Sequence, residues 1–162
     1  MEKFTISILV ADQYGVLMRI SSMFARRGFN IDSLTVGETE NPSISRITIT
    51  VACDQPTVEQ VVKQLKKLCD VKKVNLLENG ISRELMLVKV RVDDQTQAAV
   101  IQAATVYRAN IVDLSPGALT IEMTGDGQKL NSFVEYVKQY GVIEMCKTGV
   151  TALARGENNI NQ

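Results

Sequence analysis

The residues best suited to chemistry lie around a glycine and an asparagine near the start of the chain. Gly15 follows an alternating apolar segment and precedes a helical pattern, so it can turn the chain and place backbone N–H groups at a helix start. The N–H groups of Gly15, Val16 and Leu17 would then favour a carboxylate or another anion. Asn30, just beyond that helix, carries an amide that both donates and accepts. The simpler interpretation is that Gly15 is a turn glycine and that Asn30 only tolerates left-handed geometry.

Other kinds of site are poorly represented. The chain has no histidine, which excludes Ser–His, Cys–His and His–metal arrangements. Cys53, Cys69 and Cys146 form no C-x-x-C pair, so they are predicted to be reduced thiols with packing roles. No pair of acidic residues stands in an apolar setting that would shift their pKa values apart. We therefore predict no catalytic residue, no metal site and no cofactor in this chain, which would not be an enzyme by itself.

The amino-acid composition excludes some classes of binding partner. Lys+Arg and Asp+Glu number 18 each, so the net charge is zero and no basic surface is predicted for nucleic acid or an anionic membrane. No apolar stretch is long enough for a signal peptide or a membrane span. The sequence predicts a cytoplasmic protein that binds neither nucleic acid nor membrane.

The elements that would position Gly15 and Asn30 follow from periodicity. Residues 3–11 alternate as a strand, and apolar residues from Val16 to Phe24 recur at helical spacing until Gly28. Two further strands are predicted at 31–38 and 44–52, joined by a turn at Asn41-Pro42. A helix that starts near residues 55–57 and a strand at 71–77 complete a βαββαβ unit.

The second half repeats this order. A shift of eighty residues places Ile6 on Met86 and Asn30 on Asn110, and beyond the hairpin the shift falls to seventy-two. Pro116-Gly117 is the tighter turn that this shortening requires. The predicted fold is therefore α+β, with two ferredoxin-like βαββαβ domains over residues 1–79 and 80–162, the second ending in a polar tail. Each would have a four-stranded antiparallel sheet with two helices on one face.

Domains of this size bury only a modest share of their surface. The sheet edges and the sheet faces without helices would offer surfaces for a second chain, and we expect a homodimer.

Several linked segments resemble one family. Residues 12–36 resemble the opening of an ACT domain. More narrowly, residues 27–36 (RGFNIDSLTV) and 45–49 (SRITI) are similar to the small subunit of acetohydroxyacid synthase, also called acetolactate synthase. The similarity continues in order through QLKKL at 64–68, RELMLVKV at 83–90, TGV at 148–150 and ARG at 154–156. It covers nearly the whole chain.

The resemblance implies a regulatory subunit that binds and activates a large catalytic subunit. That partner would carry thiamine diphosphate, magnesium and usually FAD, and would join pyruvate to a second 2-ketoacid. Valine, or sometimes leucine or isoleucine, would bind between the N-terminal domains of two chains as a feedback inhibitor. The C-terminal domain would contact the catalytic subunit. The implied ligand-binding residues are Asp12, Gly15, Val16, Leu17, Asn30 and Ile31.

One position departs from the family pattern. The family commonly has asparagine where this chain has Asp12. A carboxylate accepts from a ligand ammonium but cannot donate to a ligand carboxylate, so weaker sensitivity to valine is expected. The second repeat has Val92 and Gln95 in place of Asp12 and Gly15, which argues against a second site of this kind.

Three other classes of protein share part of this sequence pattern. An RNA-binding domain of the same topology needs aromatic residues on its central strands, and neither 44–52 nor 119–124 has one. A free-standing ACT-domain amino-acid sensor for another enzyme or a transcription factor would suit the N-terminal half but leaves the C-terminal half unexplained. A small ferredoxin-like enzyme would need an acid–base pair that the sequence does not offer.

Overall fold

The computed structural model describes residues 2–160, and its elements follow the predicted βαββαβ order twice. The first repeat consists of β1 (Glu2–Ala11), α1 (Val16–Arg26), β2 (Ser33–Glu38), β3 (Ile44–Cys53), α2 (Gln55–Leu65) and β4 (Val71–Leu77). The second consists of β5 (Gly80–Arg91), α3 (Gln97–Val106), β6 (Asn110–Ser115), β7 (Ala118–Gly125), α4 (Gly127–Val137), a 3₁₀ turn (Lys138–Tyr140) and β8 (Val142–Lys147). A ninth strand, β9 (Thr151–Ala154), was not predicted.

Both sheets are antiparallel, and their strand orders correspond. The first runs β2-β3-β1-β4 and the second β6-β7-β5-β8, with β9 also pairing with β5. The predicted fold class, two ferredoxin-like halves with four-stranded antiparallel sheets, is confirmed. Among residues 2–160, no helix has the length and apolar character needed to cross a membrane.

Each repeat has its own apolar core between its helices and one face of its sheet. In the first, Ile6 and Ile8 of β1 pair with Ile49 and Ile47 of β3, and Phe24 of α1 packs on them fully buried. In the second, Met86 and Val88 occupy the equivalent positions of β5. There Phe133 of α4 is fully buried and meets Tyr107 edge-on, with ring centroids 5.2 Å apart.

The chain divides into two compact units, and the division differs from the predicted boundary. One unit contains the described residues up to Ser82 together with residues 149–160, and the other contains Arg83–Thr148. The first three residues of β5, 80–82, belong to the first unit, so the division follows Ser82 and not residue 79. The predicted assignment of the last residues to the C-terminal domain is also changed, because they pack on the first sheet.

We call residues 149–154 the C-terminal segment, and it covers part of the first sheet's helix-free face. Val150 donates its N–H to Ser33 Oγ at 3.4 Å, and the Ala152 carbonyl accepts from Arg46 Nη2 at 3.0 Å. A Cβ at Gly149 would lie 2.5 Å from Thr35 Oγ1 and 2.6 Å from the Leu34 carbonyl oxygen, so only glycine fits there. The expectation that both helix-free faces are uncovered is therefore wrong for the first sheet.

The second sheet keeps its helix-free face accessible. Leu85 and Leu87 of β5 project from this face and are each 37% exposed. Their partners on β7 are Thr124 and Glu122, which are polar. The face therefore presents two leucines beside polar residues.

Candidate amino-acid site at the start of α1

The loop between β1 and α1 turns at Gly15, directly before the helix start at which the sequence predicts anion binding. Gly15 adopts a left-handed conformation, with φ 81° and ψ −3°, and stands at the N-cap of α1. Its carbonyl accepts the first helical bond, from Arg19 N at 3.0 Å. No side chain caps this helix, so the backbone N–H groups of its first turn have no side-chain acceptor at the cap.

The other three α-helices begin differently. Asp54 accepts from Thr57 N at 3.0 Å at the start of α2, and Asp126 accepts from Lys129 N at 2.8 Å at the start of α4. Before α3, Asp93 accepts from the N–H groups of Gln95 and Thr96 at 3.0 and 2.8 Å. An aspartate thus caps α2 and α4, whereas α1 and α3 have no side-chain cap. The two uncapped helices differ in the preceding turn, which holds Asp93 before α3 and Gly15 before α1.

Asp12 holds the loop to the neighbouring strand. Its N–H donates to the Ser43 carbonyl at 2.9 Å, and its Oδ1 accepts from Ser45 Oγ at 3.2 Å. The carboxylate remains exposed at the mouth of the loop. Its position is therefore fixed by β3 while its second oxygen has no hydrogen bond among the described residues.

The remaining predicted residues serve in different ways. Val16 is buried in the core, so only its backbone faces the loop, whereas the Leu17 side chain is exposed. Ile31 is partly buried against the first core and precedes β2, which begins at Ser33 rather than at the predicted residue 31. Asn30 is exposed and lines a separate cavity of about 320 Å³ together with Cys53. Burial, followed by the charges of Asp54 and Asp32, raises the pKa of the Cys53 thiol.

A single chain does not bring the two halves of the predicted site together. Gly15 precedes α1 and Asn30 follows it, and a helix of eleven residues is about 16 Å long. A ligand the size of valine cannot reach both. A site that uses the loop and Asn30 together therefore requires two chains.

Arg19 is a residue of the loop that sequence reasoning missed. Its Nε donates to Asp70 Oδ2 at 2.6 Å, and its Nη1 lies 3.1 Å from the position that a Cβ on Gly15 would occupy. This hydrogen bond is the main cause that lowers the pKa of Asp70. The guanidinium adds positive charge beside the open helix start. A basic residue in a first helical turn opposes the helix dipole, and that was the available signal.

The described residues contain no group of three or more His, Cys, Asp or Glu that could hold a metal ion. The arrangement around α1 is suited to binding rather than to bond breaking. Backbone N–H groups and the Arg19 guanidinium lie together at the start of α1, and the exposed Asp12 carboxylate lies in the same loop.

Comparison with known proteins gives matches over both repeats. A family model described as an AHAS small subunit-like ACT domain matches residues 6–73, and one described as the small subunit of acetolactate synthase matches residues 83–156. The acetolactate synthase small subunit of Mycolicibacterium smegmatis is 46% identical over 158 residues, covering 96% of this chain and 93% of that protein. A probable acetolactate synthase small subunit of Methanothermobacter thermautotrophicus is 45% identical, with 96% and 94% covered.

A solved structure is also similar. The crystal structure of the acetolactate synthase small subunit from Thermotoga maritima has a TM-score of 0.89 and 39% identity, covering 98% of this chain and 100% of that one.

Proposed function

This chain belongs to the family of acetolactate synthase small subunits, and from that membership we propose that it activates the catalytic subunit and makes it sensitive to valine. The family assignment confirms the resemblance that the sequence motifs indicated. In this proposal the chain works in the cytoplasm, and the thiamine diphosphate, magnesium and FAD belong to the catalytic partner. The effector is valine, or leucine or isoleucine, the products of branched-chain amino-acid synthesis.

The proposal of an amino-acid ligand rests on the N-terminus of α1, which has no side-chain cap. Gly15 and the first turn offer backbone donors without a side-chain cap, whereas α2 and α4 each begin with an aspartate cap. Helix α3 also lacks a side-chain cap, but the turn before it is occupied by Asp93. A ligand carboxylate would replace the missing cap, and Arg19 would strengthen its attraction. Asp12, whose carboxylate is held by Ser45, would lie beside the ligand carboxylate without a proton to donate, which would weaken binding.

A homodimer follows from the same geometry. Asn30 and Ile31 can join the loop only when a second chain supplies them, because α1 separates them within one chain. The loop also exposes apolar surface that a partner would cover, since Tyr14 is fully exposed and Met18 is 69% exposed. Sedimentation of the purified chain at micromolar concentration should give a dimer with valine present, and a monomer would contradict this part of the proposal.

The central test is reconstitution with the cognate catalytic subunit. The chain alone should form no acetolactate from pyruvate, and adding it should raise the rate of the catalytic subunit until the partner is saturated. Valine should then lower that rate. Product formed by the chain alone, or an unchanged rate at saturation, would overturn the proposal.

A free-standing sensor for another enzyme or transcription factor was the alternative. The match of residues 83–156 to the acetolactate synthase small subunit argues against it, because a sensor unrelated to that enzyme has no need of this second domain.

A further inference from the structure

A cavity on the helix-free side of the first sheet is lined by residues other than those of the α1 loop. It has a volume of about 690 Å³ and opens between the helix-free face and the residues from Leu153 onward. Leu9, Arg46 and Asn75 line it from the sheet, and Glu40 lines it from the hairpin loop. None of Asp12, Gly15, Asn30 or the other predicted ligand residues contributes to its wall. Its size is within the range of small-molecule sites.

Arg46 gives this cavity a positive charge that forms no direct ion pair among residues 2–160. Its pairing with Leu9 places it on the helix-free face, where Nη2 donates to Ser7 Oγ at 2.7 Å and to the Ala152 carbonyl at 3.0 Å. Both acceptors are neutral. Within residues 2–160, its buried Nε has no hydrogen-bond partner and no carboxylate oxygen lies within 4.0 Å of the guanidinium. A partly buried cation without a counter-ion is costly, so this site favours an incoming anion.

The rest of the wall supplies two other kinds of group. Glu38 and Glu40 are exposed carboxylates at one side, and Glu40 lies close enough for its charge to act on Arg46. Leu9, Ile44 and Leu153 provide apolar surface. A cation, a pair of carboxylates and an apolar wall together match a small zwitterion with an apolar side chain. A simple anion would meet repulsion from the glutamates, and a simple amine would meet it from Arg46.

We propose that this cavity is a second ligand site and that it binds a free apolar α-amino acid. The carboxylate lies toward Arg46, the ammonium toward Glu40, and the side chain toward Leu153. The site belongs entirely to the first unit of one chain, so it needs no second copy. Ligand binding there joins the sheet to the residues that follow Gly149, and it does not depend on the α1 loop.

Leucine and two analogues test the assignment. Leucine is titrated by calorimetry into the Gly15→Asp variant, in which the α1 loop is blocked, with 4-methyl-2-oxopentanoate and isoamylamine as probes that each lack one charge. Leucine should bind once per chain, and each analogue should bind about tenfold or more weakly because it loses one charge-assisted contact. Amide NMR shifts should appear at Ala152 and Leu153 and not at Val16. Absence of binding at millimolar leucine, or equal binding of the oxo acid, would overturn the proposal.

Two variants separate binding from folding. Arg46→Met should weaken leucine binding by at least about tenfold, but it also removes the bond to Ala152 and could loosen the C-terminal segment. Glu40→Gln changes an exposed side chain with no hydrogen bond to that segment, so it should weaken leucine binding without moving the unfolding midpoint. Unchanged affinity in Glu40→Gln would contradict the proposed ammonium contact. Valine-induced amide shifts at Val16 in the wild type report separately on the α1 loop. The proposal for the cavity and the proposal for the α1 loop can therefore be disproved independently.

Discussion

Helices α1 and α3 both follow the first strand of a βαββαβ repeat and both lack a side-chain cap, but the turns that precede them differ. Before α3, Asp93 accepts two backbone N–H bonds and Thr96 Oγ1 donates to it at 2.7 Å. Before α1, Gly15 takes a left-handed conformation and no side chain caps the helix. The fold is the same, so the difference between the two turns comes from the loop sequence and not from the topology.

The helix-free faces of the two sheets also differ, because only the first is partly covered by another segment of the chain. The first sheet buries Ser7, Thr48 and Thr50 on that face, and the C-terminal segment lies over part of it. The second leaves Leu85 and Leu87 accessible. One helix-free face is thus partly covered by its own chain, while the other leaves two leucines exposed.

The largest expected effect tests whether each repeat is a separate folding unit. Phe24→Ala and Phe133→Ala each remove a fully buried ring, at a cost of about 3–5 kcal/mol. That is a large part of the stability of so small a unit. Hydrogen exchange should accelerate in β1 for the first variant and in β5 for the second. Equal loss of protection in both sheets from either variant would show a single cooperative unit.

The next effect tests the closure of the first sheet. Gly149→Ala introduces a Cβ against Thr35 and the backbone of Leu34, which should cost about 1–3 kcal/mol in urea unfolding. Gly37→Ala in β2 is the matched control, because a Cβ there meets nothing within 4 Å and its effect should be within about 0.5 kcal/mol. If the two variants unfold at the same urea concentration, the C-terminal segment is not held against the sheet.

The third test introduces a negatively charged side chain at the uncapped start of α1. Gly15→Asp puts a strained, charged side chain beside Arg19, where the ligand carboxylate is proposed to bind. Valine inhibition should be lost, with affinity reduced by at least about tenfold, while activation of the catalytic subunit persists. Gln95→Asp makes the corresponding change in the second repeat and should leave inhibition unaltered. Normal inhibition in Gly15→Asp would place the effector elsewhere.

A smaller change is expected at Asp12. Asparagine there keeps an oxygen to accept from Ser45 and adds a donor toward the ligand carboxylate. A charge-assisted bond of about 1.5–3 kcal/mol predicts at least about tenfold tighter valine binding in Asp12→Asn, measured by calorimetry. Equal affinities would show that Asp12 only closes the turn. Weaker binding in the variant would show that its carboxylate holds the ligand ammonium.

The smallest effect concerns pH. Since Arg19 lowers the pKa of Asp70 in the folded state, the pair stabilises the fold above the ordinary carboxyl range, and that contribution is lost as pH falls through the lowered pKa. Asp70→Asn should therefore flatten the loss of stability below about pH 4. Parallel stability curves for the variant and the wild type would show that the pair contributes nothing measurable, as is common for exposed pairs.

Local patterns predicted most of this architecture. The alternation of β1 and the helical spacing from Val16 to Phe24 both depend on neighbours within a few residues, and both elements formed as expected. The strand β9 has four residues and pairs with β5, so no local pattern distinguishes it. The positive φ of Gly15 was predictable from its place before a helix.

The residues that sequence reasoning missed act over long separations. Arg19 bonds Asp70 across 51 positions, and Arg46 bonds Ala152 across 106. Neither partner can be identified without the strand register. The contribution of two chains to one ligand site came only from the family resemblance, and the separation of Gly15 and Asn30 by α1 gives it a geometric reason.

The passage of the chain out of the first unit and back has a consequence for biosynthesis. The first unit needs residues from both ends of the sequence, and the contact between Ser33 and Val150 spans 117 positions. During synthesis the N-terminal repeat leaves the ribosome well before residue 149 is made. Until then Ser7, Thr48 and Thr50 lie uncovered on the helix-free face of the first sheet. Closing so long a loop is a slow, high-contact-order step. A fragment ending at Ser82 would lack the C-terminal segment, so this face of its sheet would stay uncovered.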